Sequence, residues 1–224
     1  MTLQEVVARF NTTPFLFAGS GITRRYYGLP DWVGLLTYFA EKVKKDPFAY
    51  RFYENKASEA EHTEEKLPLV ASYIEKDFND AWFNNGEGIR SDSEKVHSAV
   101  SAGVSPFKAE ISEYIASLST VDPAEEEVEE LRNIAKDNLS GVITTNYDCF
   151  FENIFEGYKT FVGQDELVFS QLQGIAEIYK IHGSVQNPES IVINKADYQK
   201  FHDKGKYLAA KLMTIFMEYP IIFI

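Results

Sequence analysis

The stretch FLFAGSGITRRYYGLPDW, Phe15 to Trp32, decides the fold that the sequence predicts. Its first four residues form an uninterrupted apolar run of the kind that is buried in parallel sheets. The run stops at Gly19-Ser20-Gly21, and Arg24 stands where a dinucleotide-binding fingerprint would have its third glycine. The glycine pair therefore either cradles phosphates or only forms a turn between a strand and a helix.

Two further predicted strands also end in small or polar residues. The β-branched run Val142 to Thr145 leads into Asn146 to Asp148, and the run Ile178 to Ile181 leads into His182 to Ser184. Ligands of open parallel sheets bind outside the carboxyl ends of the strands. We therefore expect these two polar segments to converge with Gly19 to Thr23 in one site.

The chain between the first and second strands is predicted to be mainly helical. The fold class is therefore α/β, a Rossmann-like parallel sheet with a large helical insertion between its first and second strands. We predict a core of residues 1–32 and 139–224 and an insertion module of residues 33–138. The predicted helices span Trp32–Val43, Leu67–Phe83, Ser91–Ala102, Phe107–Leu118, Pro123–Asp137 and Lys206–Glu218, the short β-type runs are Thr160–Val162 and Leu167–Phe169, and Asp46–Lys66 stays unassigned.

Composition narrows the classes of function. The 22 basic and 34 acidic residues give a net charge of −12, and the chain has no basic run, which argues against direct binding of nucleic acid. The single cysteine, Cys149, excludes an internal disulfide and a four-cysteine zinc site. Because no apolar stretch is long enough to span a membrane and Met1 to Arg9 carries charges, we expect a cytoplasmic protein that does not contact a membrane.

The motifs GSGIT, GLPDW, TTNYD and IHGS, taken in this order, resemble the sirtuin-like catalytic domain. They are most similar to the bacterial branch of NAD-consuming antiphage effectors, and the resemblance runs from about Phe15 to Ile224. It implies that NAD+ is the substrate and that no zinc is held. In this family the glycine loop holds the pyrophosphate of NAD, and the Asn and Asp of the second motif flank the nicotinamide ribose. The His before Gly is the general base.

The resemblance assigns these roles to particular residues of this chain. The catalytic residues are Asn146, which would position water, and His182, the general base. The residues assigned to NAD binding are Ala18, Gly19, Ser20, Gly21, Thr23, Asp31, Thr145, Asp148, Gly183 and Ser184. No metal ligand is assigned.

Several of these residues also have simpler interpretations. Asp148 either contacts the nicotinamide amide or caps the helix that starts at Cys149. Arg24 and Arg25 either contact the pyrophosphate or lie in solvent. His182 on its own could be a half-buried structural histidine. Cys149 is interpreted as a small buried residue and not as a nucleophile.

The predicted function is that of an NAD+ glycohydrolase, which cleaves NAD+ to nicotinamide and ADP-ribose and acts in antiphage defence by depleting NAD+. A second interpretation is a sensor that binds NAD or ADP-ribose without turnover. A protein deacylase is disfavoured, because Val33 stands where the deacylase sirtuins carry an arginine.

The resemblance also bears on the end of the chain. In the family, the strand that resembles Ile221 to Ile224 leads to a further glycine loop on the adenosine side of the NAD pocket. We therefore expect a C-terminally truncated segment. We also expect that the missing region mediates homo-oligomerisation or binds an activating partner protein.

Overall fold

The computed structural model describes residues 5, 9–60, 66–84, 87–119, 125–163, 166 and 175–224. The β-type run predicted at Leu167–Phe169 lies outside these residues. Five strands form one sheet, in which every hydrogen-bonded pair of strands is parallel. The strands are β1 (Phe15–Ala18), β2 (Gly141–Thr144), β3 (Lys159–Val162), β4 (Glu177–Lys180) and β5 (Ile221–Phe223).

The order of the strands, β3-β4-β2-β1-β5, and their register together create a crevice at one edge of the sheet. Ala18 pairs with Thr144, Thr144 with Lys180, and Lys180 with Val162, so four strands end at the same level. The neighbours of β1 are β2 on one side and β5 on the other, which makes β1 the topological switch point where ligands bind in such sheets.

The predicted Rossmann-like sheet with a large helical region between β1 and β2 is confirmed. Among the described residues, seven helices lie between these two strands: α1 (Ser20–Tyr27), α2 (Trp32–Lys44), α3 (Ala49–Ala60), α4 (Lys66–Asn84), α5 (Glu94–Ser101), α6 (Pro106–Leu118) and α7 (Glu125–Asn138). The described helices that follow β2 are α8 (Phe150–Ile154), α9 (Lys195–Lys204) and α10 (Lys206–Glu218).

Most predicted helices agree with the structure to within a few residues, but α1, α3 and α9 were not predicted. The glycine loop expected after β1 is instead the start of α1, whose N-cap residue is Gly19. Helix α3 buries only the narrow stripe Ala49, Tyr53 and Ala57, and its other positions are mostly polar. Two alanines and a tyrosine give a weak apolar period, so the sequence pattern missed this helix.

The alternation of side chains along the strands divides the apolar core between the two faces of the sheet. Leu16, Val142 and Ile178 point to one face, where they share a continuous cluster with helical residues such as Phe39 and Phe107. Phe15, Ile143 and Tyr179 point to the other face, which is covered by Leu208 and Ile215 of α10. The helical region between β1 and β2 thus packs directly on the sheet.

None of the described helices combines the length and the apolar character that a membrane span requires.

Candidate functional site

A cavity of about 290 Å³ lies at the carboxyl ends of β1, β2 and β4. Seven of the residues assigned to the site from the sequence line this cavity: Ser20, Thr23, Asp31, Thr145, Asn146, Asp148 and His182. Five other assigned residues are not in its lining: Ala18, Gly19, Gly21, Gly183 and Ser184. The polar ends of three separate strands therefore contribute to one cavity.

Asn146 connects the end of β2 with the glycine loop after β1. Its backbone N–H donates to Thr144 Oγ1 (3.1 Å), and its side-chain Nδ2 donates to the carbonyl oxygen of Gly19 (2.9 Å). The Thr144 hydroxyl in turn donates to the carbonyl oxygen of Ala18 (3.0 Å). With Nδ2 engaged, the carbonyl oxygen Oδ1 is the atom of this fixed amide that can accept a further hydrogen bond.

His182 is held between aromatic rings. Its imidazole makes edge-to-face contacts with Tyr198 and Phe201, each with 5.6 Å between ring centroids. Burial lowers the pKa of His182 to about 4, because the charged imidazolium loses its hydration. At neutral pH the ring is therefore uncharged, which is the form that can accept a proton.

The segment after β4 is tied to the chain that follows it. The N–H of Val192 donates to the carbonyl oxygen of His182 (2.9 Å), and the N–H of Ser184 donates to Ser190 Oγ (3.0 Å). Gly183 has a φ of +97°, and a Cβ there would lie 2.3 Å from the carbonyl oxygen of Ser190. A side chain at this position beside the histidine would be strained by the positive φ and would clash with Ser190.

We expect Gly183→Ala to destabilise the protein more than Gly157→Ala does. Gly157 also has a positive φ, +85°, but a Cβ there would meet open space. The control, Gly157→Ala, should therefore lower the free energy of unfolding by about 1–2 kcal/mol through backbone strain. Gly183→Ala should lower it by at least about 2 kcal/mol more, because of the clash with Ser190. Urea unfolding of the two variants measures the difference, and equal costs would mean that the 190–192 segment moves aside freely.

Tyr147 joins the second motif to this same segment. Its hydroxyl donates to the carbonyl oxygen of Val192 (2.8 Å), and its own carbonyl oxygen accepts from the N–H of Val185 (2.9 Å). Burial raises the pKa of the Tyr147 hydroxyl, so the tyrosine remains a hydrogen-bond donor. The chain segments that carry Asn146 and His182 are thus fixed to one another through Val192.

Asp148 caps the helix that follows it. Its Oδ1 accepts from the N–H of Phe150 at the start of α8 (2.9 Å), and the residue is also part of the cavity lining. Burial raises the pKa of this carboxyl group. Of the two interpretations left open by the sequence, the capping contact is present in the structure.

The amino end of α1 faces the crevice without a side-chain cap. Gly19 is the N-cap residue, and no acidic residue stands in the first turn. A Cβ on Gly21 would meet no atom of the described structure within 4 Å. The unpaired N–H groups of a helix start attract anions, and here the protein leaves the space beside them open.

Arg24 and Arg25, which follow the glycine loop, are held in surface ion pairs. Arg24 lies 3.2 Å from Asp31 Oδ2, and Arg25 makes a two-pronged contact with Glu127 (2.6 and 3.0 Å). The other carboxylate oxygen of Asp31 accepts from the N–H of Gly34 and caps α2. Both arginine side chains are largely exposed to solvent, as one of the two interpretations expected, and each lies in a surface ion pair. Asp31 serves the local structure as well as lining the cavity.

The remaining wall of the cavity is mainly apolar, and apart from Tyr147, which was expected to pack beside the pocket, its residues were not assigned to the site from the motifs. It consists of Leu29, Pro30, Trp32, Leu35, Ile115, Tyr147 and Tyr198. Leu35 and Ile115 come from helices α2 and α6, and Trp32 stacks on Tyr198 with 5.8 Å between ring centroids. Tyr198 belongs to α9, whose Asn194 and Asp197 form a capping box that could have indicated this helix.

Residues 140–224 match the family model of the SIR2-like domain. The matched part contains Asn146, Asp148 and His182, and the family includes NAD-dependent enzymes. No curated protein matches the chain.

The described ranges contain no group of three His, Cys, Asp or Glu side chains that could hold a metal ion.

Proposed function

We propose that this chain is an NAD+ glycohydrolase, which converts NAD+ and water to nicotinamide, ADP-ribose and a proton. One observation carries the proposal: Asn146 and His182 come from two different strand ends and line one cavity, together with Ser20 and Thr23 of α1. The SIR2-like match over residues 140–224 supports NAD+ as the ligand.

The proposed orientation of NAD+ follows from charge and size. The amino end of α1 suits the anionic pyrophosphate, because its N–H groups are uncapped and its first turn carries no carboxylate. The cavity of about 290 Å³ is near the lower limit for small-molecule sites. It therefore suits the nicotinamide ribose end of the substrate better than the whole dinucleotide.

The reaction breaks the bond between C1′ of the ribose and the nicotinamide nitrogen. The bonding electron pair leaves with nicotinamide, C1′ becomes oxocarbenium-like, and the oxygen of water forms the new bond to C1′. Asn146 Oδ1 would accept a hydrogen bond from this water and hold it in place. The neutral imidazole of His182 would take up the released proton.

The test is to incubate the protein with NAD+ and identify the products by chromatography. Equal amounts of nicotinamide and ADP-ribose are expected, whereas cyclic ADP-ribose would indicate cyclisation. Binding of NAD+ without any product would favour the sensor interpretation over the enzyme.

We further propose that cleavage depletes NAD+ in antiphage defence, which rests on the resemblance to that branch of the family. Homo-oligomerisation or an activating partner protein would then control the activity. NAD+ levels in phage-infected cells that carry the wild-type protein or an Asn146→Ala variant test this role, since only the wild type should lower them.

Gly21→Ala is expected to have opposite effects on stability and on ligand binding. Alanine favours a helix more than glycine does, and the added methyl group would meet open space. The free energy of unfolding should therefore stay equal or rise by up to about 1 kcal/mol. If the pyrophosphate lies against the amino end of α1 as proposed, the same methyl group should narrow its approach to the helix N–H groups and weaken NAD+ binding by roughly 10-fold.

Thermal melts and calorimetric titration with NAD+ measure both effects. Ser58→Ala, at an exposed position of α3, is the control that should change neither the affinity nor the fold. Unchanged affinity in Gly21→Ala would contradict the proposed phosphate position.

A further inference from the structure

Lys180, the last residue of β4, is a charged side chain inside the protein. Its exposure is 1%, and it lies two residues before His182 in the chain. It also pairs in the sheet with Thr144, which stands two residues before Asn146. A buried ammonium group is costly unless it is neutralised and hydrogen-bonded, so its partners indicate why it is there.

The ammonium group has two partners on different segments. Its Nζ donates to the main-chain carbonyl oxygen of Asp148 and to Glu152 Oε1 of α8 (2.8 Å). Glu152 Oε2 is buried and has no hydrogen-bond partner among the described residues. Glu152 supplies the opposite charge, while the contact with Asp148 reaches the loop that lines the cavity.

This contact completes the anchoring of the loop Thr145–Asp148. The Asn146 side chain donates a hydrogen bond to the carbonyl oxygen of Gly19, and the Tyr147 hydroxyl donates one to the carbonyl oxygen of Val192. The loop ends at Asp148, just before α8, and there the carbonyl oxygen of Asp148 accepts a hydrogen bond from Lys180. Replacement of the ammonium by an apolar group would leave a buried carbonyl without a donor, and the loop would have to move to satisfy it.

We propose that Lys180 is a positioning residue, which fixes the loop Thr145–Asp148 so that Asn146 stands in its working place opposite His182. The expected loss of kcat rests on the proposed function, whereas the expected movement of the loop does not. Lys180 reaches the cavity only through the loop, so it acts by geometry and not by contact with substrate.

The test must separate positioning from charge balance. Lys180→Met alone leaves Glu152 as a buried unpaired charge and could unfold the protein. The double variant Lys180→Met/Glu152→Gln removes both charges at nearly constant volume, and Glu152→Gln alone keeps the Lys180 contact with Asp148. Positioning predicts that the double variant folds and loses roughly 10- to 100-fold in kcat, with KM little changed.

The matched variant, Glu152→Gln, leaves the Lys180 ammonium without its counter-charge, so a thermal melt must first show that the variant folds. The folded variant should retain kcat within about threefold of the wild type, because the Asp148 carbonyl keeps its donor. Wild-type kcat in the folded double variant would overturn the proposal, since Lys180 would then only neutralise Glu152. If the double variant does not fold, Lys180→Leu/Glu152→Leu, which removes both charges without leaving a buried polar side chain, takes its place with the same outcomes: lost kcat supports positioning, and wild-type kcat overturns it.

A second readout is independent of catalysis. The side-chain amide of Asn146 gives an NMR signal that can be assigned by its absence in Asn146→Ala. This signal should shift in the double variant and stay in place in Glu152→Gln, and an unmoved signal in a folded double variant would overturn the proposal. If the wild type releases no nicotinamide, the glycohydrolase proposal fails, while the signal still tests Lys180.

Discussion

Asn146→Ala should release nicotinamide from NAD+ at least about 100-fold more slowly than the wild type, roughly the loss expected on removing one preorganised polar group. The substitution removes both the amide oxygen proposed to hold water and the Nδ2 donor that binds the Gly19 carbonyl. Release of nicotinamide under saturating NAD+, followed by chromatography, gives the rate.

Asn153→Ala is the matched control. Asn153 is an exposed asparagine that also makes a side-chain hydrogen bond, from Nδ2 to the Tyr27 hydroxyl (3.2 Å), and it lies on α8 outside the cavity lining. Its rate should stay close to that of the wild type. Undiminished turnover in Asn146→Ala would mean that water is held elsewhere.

His182→Ala is expected to slow turnover by about 100- to 10,000-fold, the range for loss of a general base. Affinity for NAD+ should change little, because the imidazole acts mainly in the transition state. Turnover and calorimetric titration of the same preparation measure the two quantities.

The control for this variant is His202→Ala, an exposed histidine on α9 outside the cavity lining. A thermal melt must accompany both, because His182 also packs against Tyr198 and Phe201. If His182→Ala loses its folded structure, the activity loss supports the interpretation as a structural histidine. A folded variant with wild-type turnover would contradict the role as base.

The pH dependence of kcat/KM gives an independent test of His182. Since burial lowers its pKa to about 4, the neutral form persists throughout the neutral range. The profile should therefore stay flat as the pH falls from about 8 to about 5 and decrease below that, as the imidazole becomes protonated. Circular dichroism at each pH separates this decrease from acid unfolding, and a midpoint near 6.5 would indicate a base in a more polar environment.

The strands were predictable because their residues differ so strongly from their surroundings. Each buried run, such as Phe15 to Ala18, ends abruptly in glycine or polar residues, and a parallel sheet brings such ends to one edge. The convergence of the Asn146 and His182 segments on one cavity follows from this rule. Their catalytic roles remain predictions.

The apolar wall of the cavity could not be predicted in the same way. Ile115 and Tyr198 lie on helices distant from the motifs in sequence, and only tertiary packing brings them to the cavity. The ion pair of Arg25 was missed for a related reason, since Glu127 stands about 100 residues away in an acidic run that local chemistry explains as helix capping. Side chains chosen by distant contacts carry no local signal.

The placement of Leu35 and Ile115 has a consequence for the helical region between β1 and β2. A crevice formed by the strand ends alone would be open to bulk water, and the Asn146 dipole would act in a medium of high dielectric constant. With the two helices closing one side, a catalytic dipole at Asn146, as proposed, would act in a space less open to water, where it would be worth more. Under the proposed function, the helical region would thus set the strength of groups that it does not itself contain, and Ile115→Ala should weaken the chemistry by admitting solvent while every motif stays intact.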